Sequence, residues 1–199
     1  MDVLFDKECD YEKEIAMIYE KVISGKFVDL KSITLDDEDV EFSYQIRREE
    51  KNRETVGQPA SCLSEQRKFI EWQINQPDDY YFVVWNKKGE RVGLIGVYDI
   101  HDGVGEVGRE VSDGTPMEAM EAKVLLEDFY KEVLHLKKVT AVIYMSNERQ
   151  LSNQKKLGFT MKKKVNRNGV DCAYFETDVE GKQIQKIRYL LEKIRGGEN

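Results

Sequence analysis

The chain has 199 residues, 40% of them hydrophobic and 10% aromatic, enough for one hydrophobic core with at most a small appendage. Its net charge of -7 opposes general nucleic-acid binding, which needs a basic footprint to displace counterions from phosphates. Cys9, Cys62 and Cys172 are widely spaced, and His101 and His135 stand alone. No set of about four metal ligands at short spacing is offered, so no metal is expected, and an odd cysteine count suits a reducing cytosol. The acidic start Met-Asp-Val-Leu-Phe-Asp lacks the basic region of a signal peptide, and the longest apolar run, Tyr80 to Trp85, is far too short to cross a bilayer. A cytoplasmic protein without membrane partner is expected.

Tyr11 to Ser24 places Ile15, Ile18, Tyr19, Val22 and Ile23 at spacings of three and four, which predicts an amphipathic helix stopped by Gly25. Residues 1–26 therefore read as a helical extension. Phe27 to Ile33 alternates like a strand, and Thr34 with Asp37 three residues on resembles a helix-opening box for a helix to about Lys51. Asn52 to Leu63, with Gly57 and Pro59, reads as a loop. Ser64 then caps a helix over Glu65 to Asn75 that carries Phe69, Ile70 and Trp72.

From Tyr80 the pattern turns to strands. Tyr80 to Trp85 and Arg91 to Ile100 flank the turn Lys87-Lys88-Gly89-Glu90, and a shorter, glycine-interrupted strand follows at Val104 to Val111. Met117 to Leu134 holds Ala122, Leu125, Leu126, Phe129 and Val133 at helical period. Lys138 to Met145, rich in β-branched residues, should be a buried strand. Glu148 to Lys156 should be a short helix closed by Gly158 as a left-handed cap. Thr160 to Val165 and Val170 to Thr177 make a second hairpin around Asn166-Arg167-Asn168-Gly169, with Lys162-Lys163-Lys164 read as a solvated face. An amphipathic helix over Lys182 to Ile194 ends the chain. The main domain spans 27–178 and the closing helical segment 179–199. Both terminal helices either pack on the core or form a dimer contact, so a monomer or a homodimer is expected.

Three stretches carry a resemblance: Val92-Gly93-Leu94-Ile95-Gly96, Glu106-Val107-Gly108-Arg109, and Asn147 with Lys156-Leu157-Gly158-Phe159. In their order of strands and helices the chain resembles the GCN5-related N-acetyltransferases (GNAT), most of all the subgroup with ribosomal-protein and amino-sugar acetyltransferases. The third stretch is the most specific. An Asn ends a strand, and Gly-Phe begins 11 residues later, after a short helix. The resemblance implies an α+β fold with a twisted, mixed but mostly antiparallel sheet flanked by helices. It also implies acetyl-CoA as co-substrate and a primary amine as acceptor: an amino sugar, a protein N-terminus or a small amine. The acetyl group would pass by direct attack in a ternary complex. The alternative is a catalytically weak or inactive module of this fold that binds or senses.

The family holds the pantetheine arm with the Asn, here Asn147, although the same side chain also suits a helix N-cap. Asn153 and Lys156 follow as further coenzyme contacts. The diphosphate belongs at a helix N-terminus, which here means Thr115 to Met120 with the backbone amides of Met117, Ala119 and Met120 as donors, and Val111 is a further expected coenzyme contact. The family's loop, Arg or Gln followed by glycines, is replaced by Ser112-Asp113-Gly114-Thr115-Pro116-Met117-Glu118-Ala119, with one glycine and two acids. An alkylammonium must lose a proton before it attacks, and Glu106 or Glu110, on one strand face by the period of two, is the expected base. Backbone N–H groups around Glu110 and Val111 would polarise the thioester carbonyl. The general acid of many relatives, a Tyr seven residues after the Asn, is Gln154 here, so either the thiolate leaves unassisted or another hydroxyl such as Tyr144 or Ser146 serves. Arg47, Trp72 and Tyr98, with Arg48, Arg53 and His101 nearby, are the expected acceptor contacts. Arg47-Arg48-Glu49-Glu50 also reads as an ion-paired surface helix.

Overall fold

Eight strands form one sheet in a computed structural model of the chain, which describes residues 22–53, 58–179, 188–189 and 191–193. The strands are β1 (Ile23–Ser24), β2 (Val28–Ser32), β3 (Tyr80–Asn86), β4 (Arg91–His101), β5 (Val104–Ser112), β6 (Lys138–Tyr144), β7 (Thr160–Arg167) and β8 (Val170–Asp178). They lie in the order β1-β2-β3-β4-β5-β6-β8-β7. Every neighbouring pair is antiparallel except β5–β6, where a helical crossover returns the chain in the same direction. The helices are α1 (Asp37–Arg48), α2 (Glu50–Arg53), α3 (Leu63–Ile74), α4 (Pro116–Asp128) and α5 (Glu148–Lys156), with a π turn over Phe129–Val133 continuing α4. The α+β architecture expected from the sequence is present.

Strand β3, YYFVVWN, is apolar nearly throughout because helices cover both of its faces. Its alternate residues divide between two cores. Phe82 and Val84 join Leu30, Ile95, Val97 and the α4 residues Ala122, Leu125 and Leu126. Tyr81 and Val83 join Ile33, Leu94 and Val111 under α1 and α3, which supply Val40, Ile46 and Ile70. The sheet is thus the middle of three layers. At its far end β7 is the last strand, with every residue but Val165 exposed.

Several expected boundaries move. Tyr11 to Lys21 lie outside the described residues, but Ile23 and Ser24 pair with Leu30 and Asp29, so no helix reaches Ser24. Gly25 is required by a close approach instead. A Cβ there would come 2.5 Å from the Glu121 carboxylate. Glu121, fully buried on α4, accepts the backbone N–H groups of Lys26, Phe27 and Val28 at 3.0, 2.5 and 2.9 Å, tying α4 to the start of β2. At the next helix Asp39, not Asp37, turns back to Thr34, accepting its N–H at 3.0 Å and its hydroxyl at 2.9 Å. That helix breaks at Glu49, whose ψ of 139° is extended. The Met117–Leu134 helix becomes α4 plus the π turn. At the other end Arg188 donates to Glu127 at 3.2 Å and pairs with Asp128 at 2.5 Å, while Leu191 is buried. The closing helical residues therefore pack on the end of α4.

Candidate active site

The parallel ladder of β5 and β6 is short. It joins Val104 to Lys138, Gly105 to Val139 and Glu106 to Thr140, and there it ends. Beyond that rung β5 runs on to Ser112 and β6 to Tyr144, each paired only with its other neighbour. The two strands part, and a cavity of about 140 Å³ opens between them. Val107 to Glu110 form one wall and Ala141 to Ile143 the other. Met120, Lys123, Val124 and Leu126 of α4 close one side with Tyr130 of the π turn, and α5 contributes Asn147, Gln150 and Gln154. Most of this wall is apolar.

The α5 residues form one stripe. Asn147 is its N-cap, and its side chain accepts from Gln150 N–H at 3.1 Å. Gln150 and Gln154 follow at helical spacing, so all three face the cavity. The amide oxygens of Gln150 and Gln154 are buried with no hydrogen-bond partner among the described residues. A buried acceptor left unmade costs on the order of 1–3 kcal/mol, and a ligand N–H placed there recovers it. Gln150 was not singled out from the sequence, although its place three residues after Asn147 on the same helix face was a readable signal. Asn153 and Lys156 fall off this stripe and do not line the cavity.

The two carboxylates of β5 do not share a face. Gly96 pairs with Gly108 and Leu94 with Val111, so β5 carries one more residue than β4 between these rungs. Arg109 absorbs the extra residue at φ 53°, a bulge that reverses the alternation after it. Glu106 therefore lies on the α1–α3 face of the sheet. There its carboxylate accepts both guanidinium nitrogens of Arg167 at 2.8 and 2.9 Å and the Tyr98 hydroxyl at 2.7 Å. Glu110 turns to α4 and pairs with Lys123 at 2.8 Å, in the cavity wall. The same-face expectation is corrected by this single residue.

Burial, then the Glu106 charge, pushes the Tyr98 phenol well above its usual pKa, so it stays protonated and donates. The hydrogen bonds that Arg167 donates to Glu106 raise its pKa further, and it remains a cation. Gly108 leaves room for Tyr98, since a Cβ would lie 2.6 Å from its hydroxyl. Beside them Arg109 pairs through both guanidinium nitrogens with Asp79, which also accepts the Gln73 amide at 3.1 Å. The Arg109 guanidinium lies 4.1 Å from the Tyr98 ring centroid and 5.2 Å from that of Phe69. Arg167, Arg109 and Asp79 gather here through contacts between distant parts of the chain, which no local pattern announces.

The start of α4 is already occupied by its own side chains. Thr115 Oγ1 accepts from Glu118 N–H at 3.3 Å, and Glu118 accepts from Thr115 N–H at 2.6 Å, a complete capping box. Ala119 N–H is bonded to Thr115 O, and Pro116 has no N–H. Met117 keeps a backbone donor, while Met120 reaches the cavity with its side chain. Val111 is buried in the opposite core. Asp113 pairs with Lys51 at 2.7 Å, a cation beside this loop.

The other expected residues lie apart. Tyr144 is half-buried at the end of β6 and Ser146 is exposed in the following turn, and neither lines the cavity. Arg47 is half-buried on α1, and Arg48 donates to Ala60 O at 3.0 Å. Trp72 on α3 is 51% exposed, its ring 6.0 Å from Phe69. His101 is exposed and paired with Asp99 at 2.7 Å. The side chain of Arg53 lies outside the described residues. Among the described residues no cluster of His, Cys, Asp or Glu is arranged to hold a metal ion, and no helix is long and apolar enough to cross a membrane.

The parallel pair β5–β6 thus parts over a largely apolar cavity, in a fold shared with known proteins. The family model of the acetyltransferase (GNAT) domain matches residues 29–160, so the chain belongs to the GNAT acetyltransferases. A GCN5-related N-acetyltransferase from Brucella melitensis superposes with a TM-score of 0.72 at 17% identity, over 86% of each chain. FdhC, a nucleotide-linked sugar GNAT in its apo form, gives 0.69 at 17% identity, over 86% of this chain and 96% of that one. Spermidine N-acetyltransferase from Vibrio cholerae, solved with CoA and spermine, gives 0.66 at 14% identity, over 77% and 96%. At these identities the likeness speaks for the fold. No curated protein matches.

Proposed function

We propose that the protein transfers the acetyl group of acetyl-CoA directly to a primary amine bound on the α1–α3 face of the cleft. The observation that carries this reading is the pair of buried, unpartnered amide oxygens of Gln150 and Gln154 in the wall of the β5–β6 cavity. They suit a ligand that presents amide N–H groups inside an apolar slot, as the pantetheine arm does. Asn147 would hold the same arm with its amide N–H while its oxygen caps α5. The start of α4 fits the diphosphate less well, because Thr115 and Glu118 consume its donors and Asp113 and Glu118 add negative charge. Lys51, already paired with Asp113 and Glu49, would have to change partners to face an anion there beside the Met117 N–H.

The co-substrate supplies an activated acyl carbon and a thiol leaving group. The chain's part is to take the amine's proton, so that the N–C bond forms as the C–S bond breaks and the departing sulfur gains a proton. Glu106, on the rung where the strands part, is the base of this proposal, with Glu110 as second candidate from the α4 side. Tyr144 and Ser146 do not line the cavity, so either would reach the leaving sulfur only through a bridging water. The free thiols of Cys62 and Cys172 fit a cytoplasmic setting.

Titration calorimetry should give acetyl-CoA binding in the micromolar to sub-millimolar range, and thiol release across an amine panel should identify turnover. No heat and no thermal shift at millimolar acetyl-CoA sinks the reading. The self-capped α4 favours a second reading, a module that binds without turnover. Acetyl-CoA binding with no thiol release from any amine would support that one.

A further inference from the structure

The carboxylate at the parting of the strands is not available as it stands. Glu106 is 6% exposed and accepts three hydrogen bonds, two of them from one guanidinium. An ammonium arriving alone would have to displace Arg167 and leave that cation without its partner, and unpaired charges beside a buried site are costly. Arg167 itself is differently placed. Its side chain is 47% exposed and hangs from the edge strand β7, next to a turn whose Asn168 and Gly169 have φ of 53° and 83°. Arg109, the other guanidinium of this surface, is locked on Asp79 and packed among aromatic rings. Arg167 thus has room to change partners where Arg109 has none.

We infer that the acceptor is an amine carrying its own anion, a carboxylate or a phosphate, and that Arg167 recognises that anion. The anion takes the guanidinium from Glu106, and the ammonium takes the vacated place on the carboxylate. One ion pair and one zwitterion become two ion pairs, so no charge is left unpaired and the total is unchanged. Glu106, relieved of the guanidinium, then accepts the ammonium proton, and the freed nitrogen lone pair attacks the acyl carbon. A polycation is poorly served by the same surface, because Glu106 and Asp79 are each matched by an arginine and neither has charge to spare. A planar fork reads carboxylate and phosphate alike, since both offer two coplanar oxygens.

This rests on the acetyl-transfer reading, and the test separates the two. Thiol release from acetyl-CoA is measured for matched pairs, alanine against alaninamide and glucosamine 6-phosphate against glucosamine, with spermidine as the polycation. The anionic member of at least one pair should exceed its neutral twin by about tenfold or more in kcat/KM, carried mainly by KM. Which pair shows the effect tells carboxylate from phosphate. Arg167→Met should erase the difference, and Arg167→Lys should keep part of it, with thermal midpoints showing that both variants fold. Calorimetric binding of the same pairs needs no turnover. Selective binding of the anionic twin that disappears in Arg167→Met, without thiol release, would leave this inference standing and sink the transfer reading alone. Equal use of the twins where turnover occurs, equal binding where it does not, a preference for spermidine, or a preference that survives Arg167→Met overturns the inference.

Discussion

Glu106 and Glu110 stand four residues apart on β5, yet one faces a guanidinium across the α1–α3 side and the other a lysine of α4. Before the bulge Glu106 turns to the α1–α3 side, and after it Glu110 turns to the β5–β6 cavity. The two carboxylates thereby come to differ in partner, in burial and in what they can touch. Glu106 sits in a three-donor socket at 6% exposure, whereas Glu110 has a single ion pair with both side chains about a quarter exposed. The backbone conformation of one residue between them sets this division of labour. Residue type alone does not decide what an acid in a cleft does.

The division is broken most directly at the carboxylates. Glu106→Gln should lower the rate of thiol release by roughly a hundred- to ten-thousandfold, the range of a lost general base, while Glu110→Gln costs less than about tenfold. Equal losses would show that the two acids act together. Gly108→Ala is the next largest. Its methyl would meet the Tyr98 hydroxyl at 2.6 Å, so the ring must move off Glu106. The expected result is a fall in kcat of about tenfold and a loss of about 1–3 kcal/mol in stability, read by denaturant unfolding. Unchanged kcat would mean that Tyr98 does not hold Glu106 in its working position.

The smallest effect concerns an acid that serves neither side of the reaction. Glu118→Ala removes half of the capping box and should cost about 1 kcal/mol, a drop of roughly 2–4 °C in thermal midpoint. Acetyl-CoA affinity should hold or improve, since a negative charge leaves the helix start. A clear weakening measured by calorimetry would place Glu118 in the binding site after all.

Much of the fold was legible because it rests on local rules. The helix Glu148–Lys156 and the left-handed Gly158, at φ 89°, stand where the caps put them. Both hairpins lie around their predicted turns, since glycine accepts the positive φ that the turns need. What escaped is non-local or conformationally unusual. Arg109 is an ordinary residue in a left-handed conformation, and nothing in Val107-Gly108-Arg109-Glu110 requires a bulge there. The π turn Phe129–Val133 keeps an apolar pattern close to that of a plain helix. Ile23 looked helical by spacing, but pairing with β2 overrode a local preference. Of the residues singled out by position along the strand-helix order, Asn147 and Glu110 line the cavity, while Tyr98 and Glu106 meet each other on the opposite face of the sheet. Arg167 was not singled out, because it reaches Glu106 across 61 residues of chain. Asp79 was missed for the same reason, as it meets Arg109 across 30.

The run Lys162-Lys163-Lys164 has one more consequence. It lies on β7, the last strand of the sheet, which is exposed along nearly its whole length. An open strand edge is a template on which another chain can add by backbone pairing, and amyloid-like stacking begins in that way. Lys162 is the extra residue of a bulge between Met161 and Lys163, and Lys163 and Lys164 then alternate, so positive charge stands on both surfaces of that edge. A second copy docking in register would have to bring its own lysines alongside and bury them, at a cost that grows with every rung. The same three residues, none of which lines the cavity, raise an electrostatic cost against another strand adding beside β7.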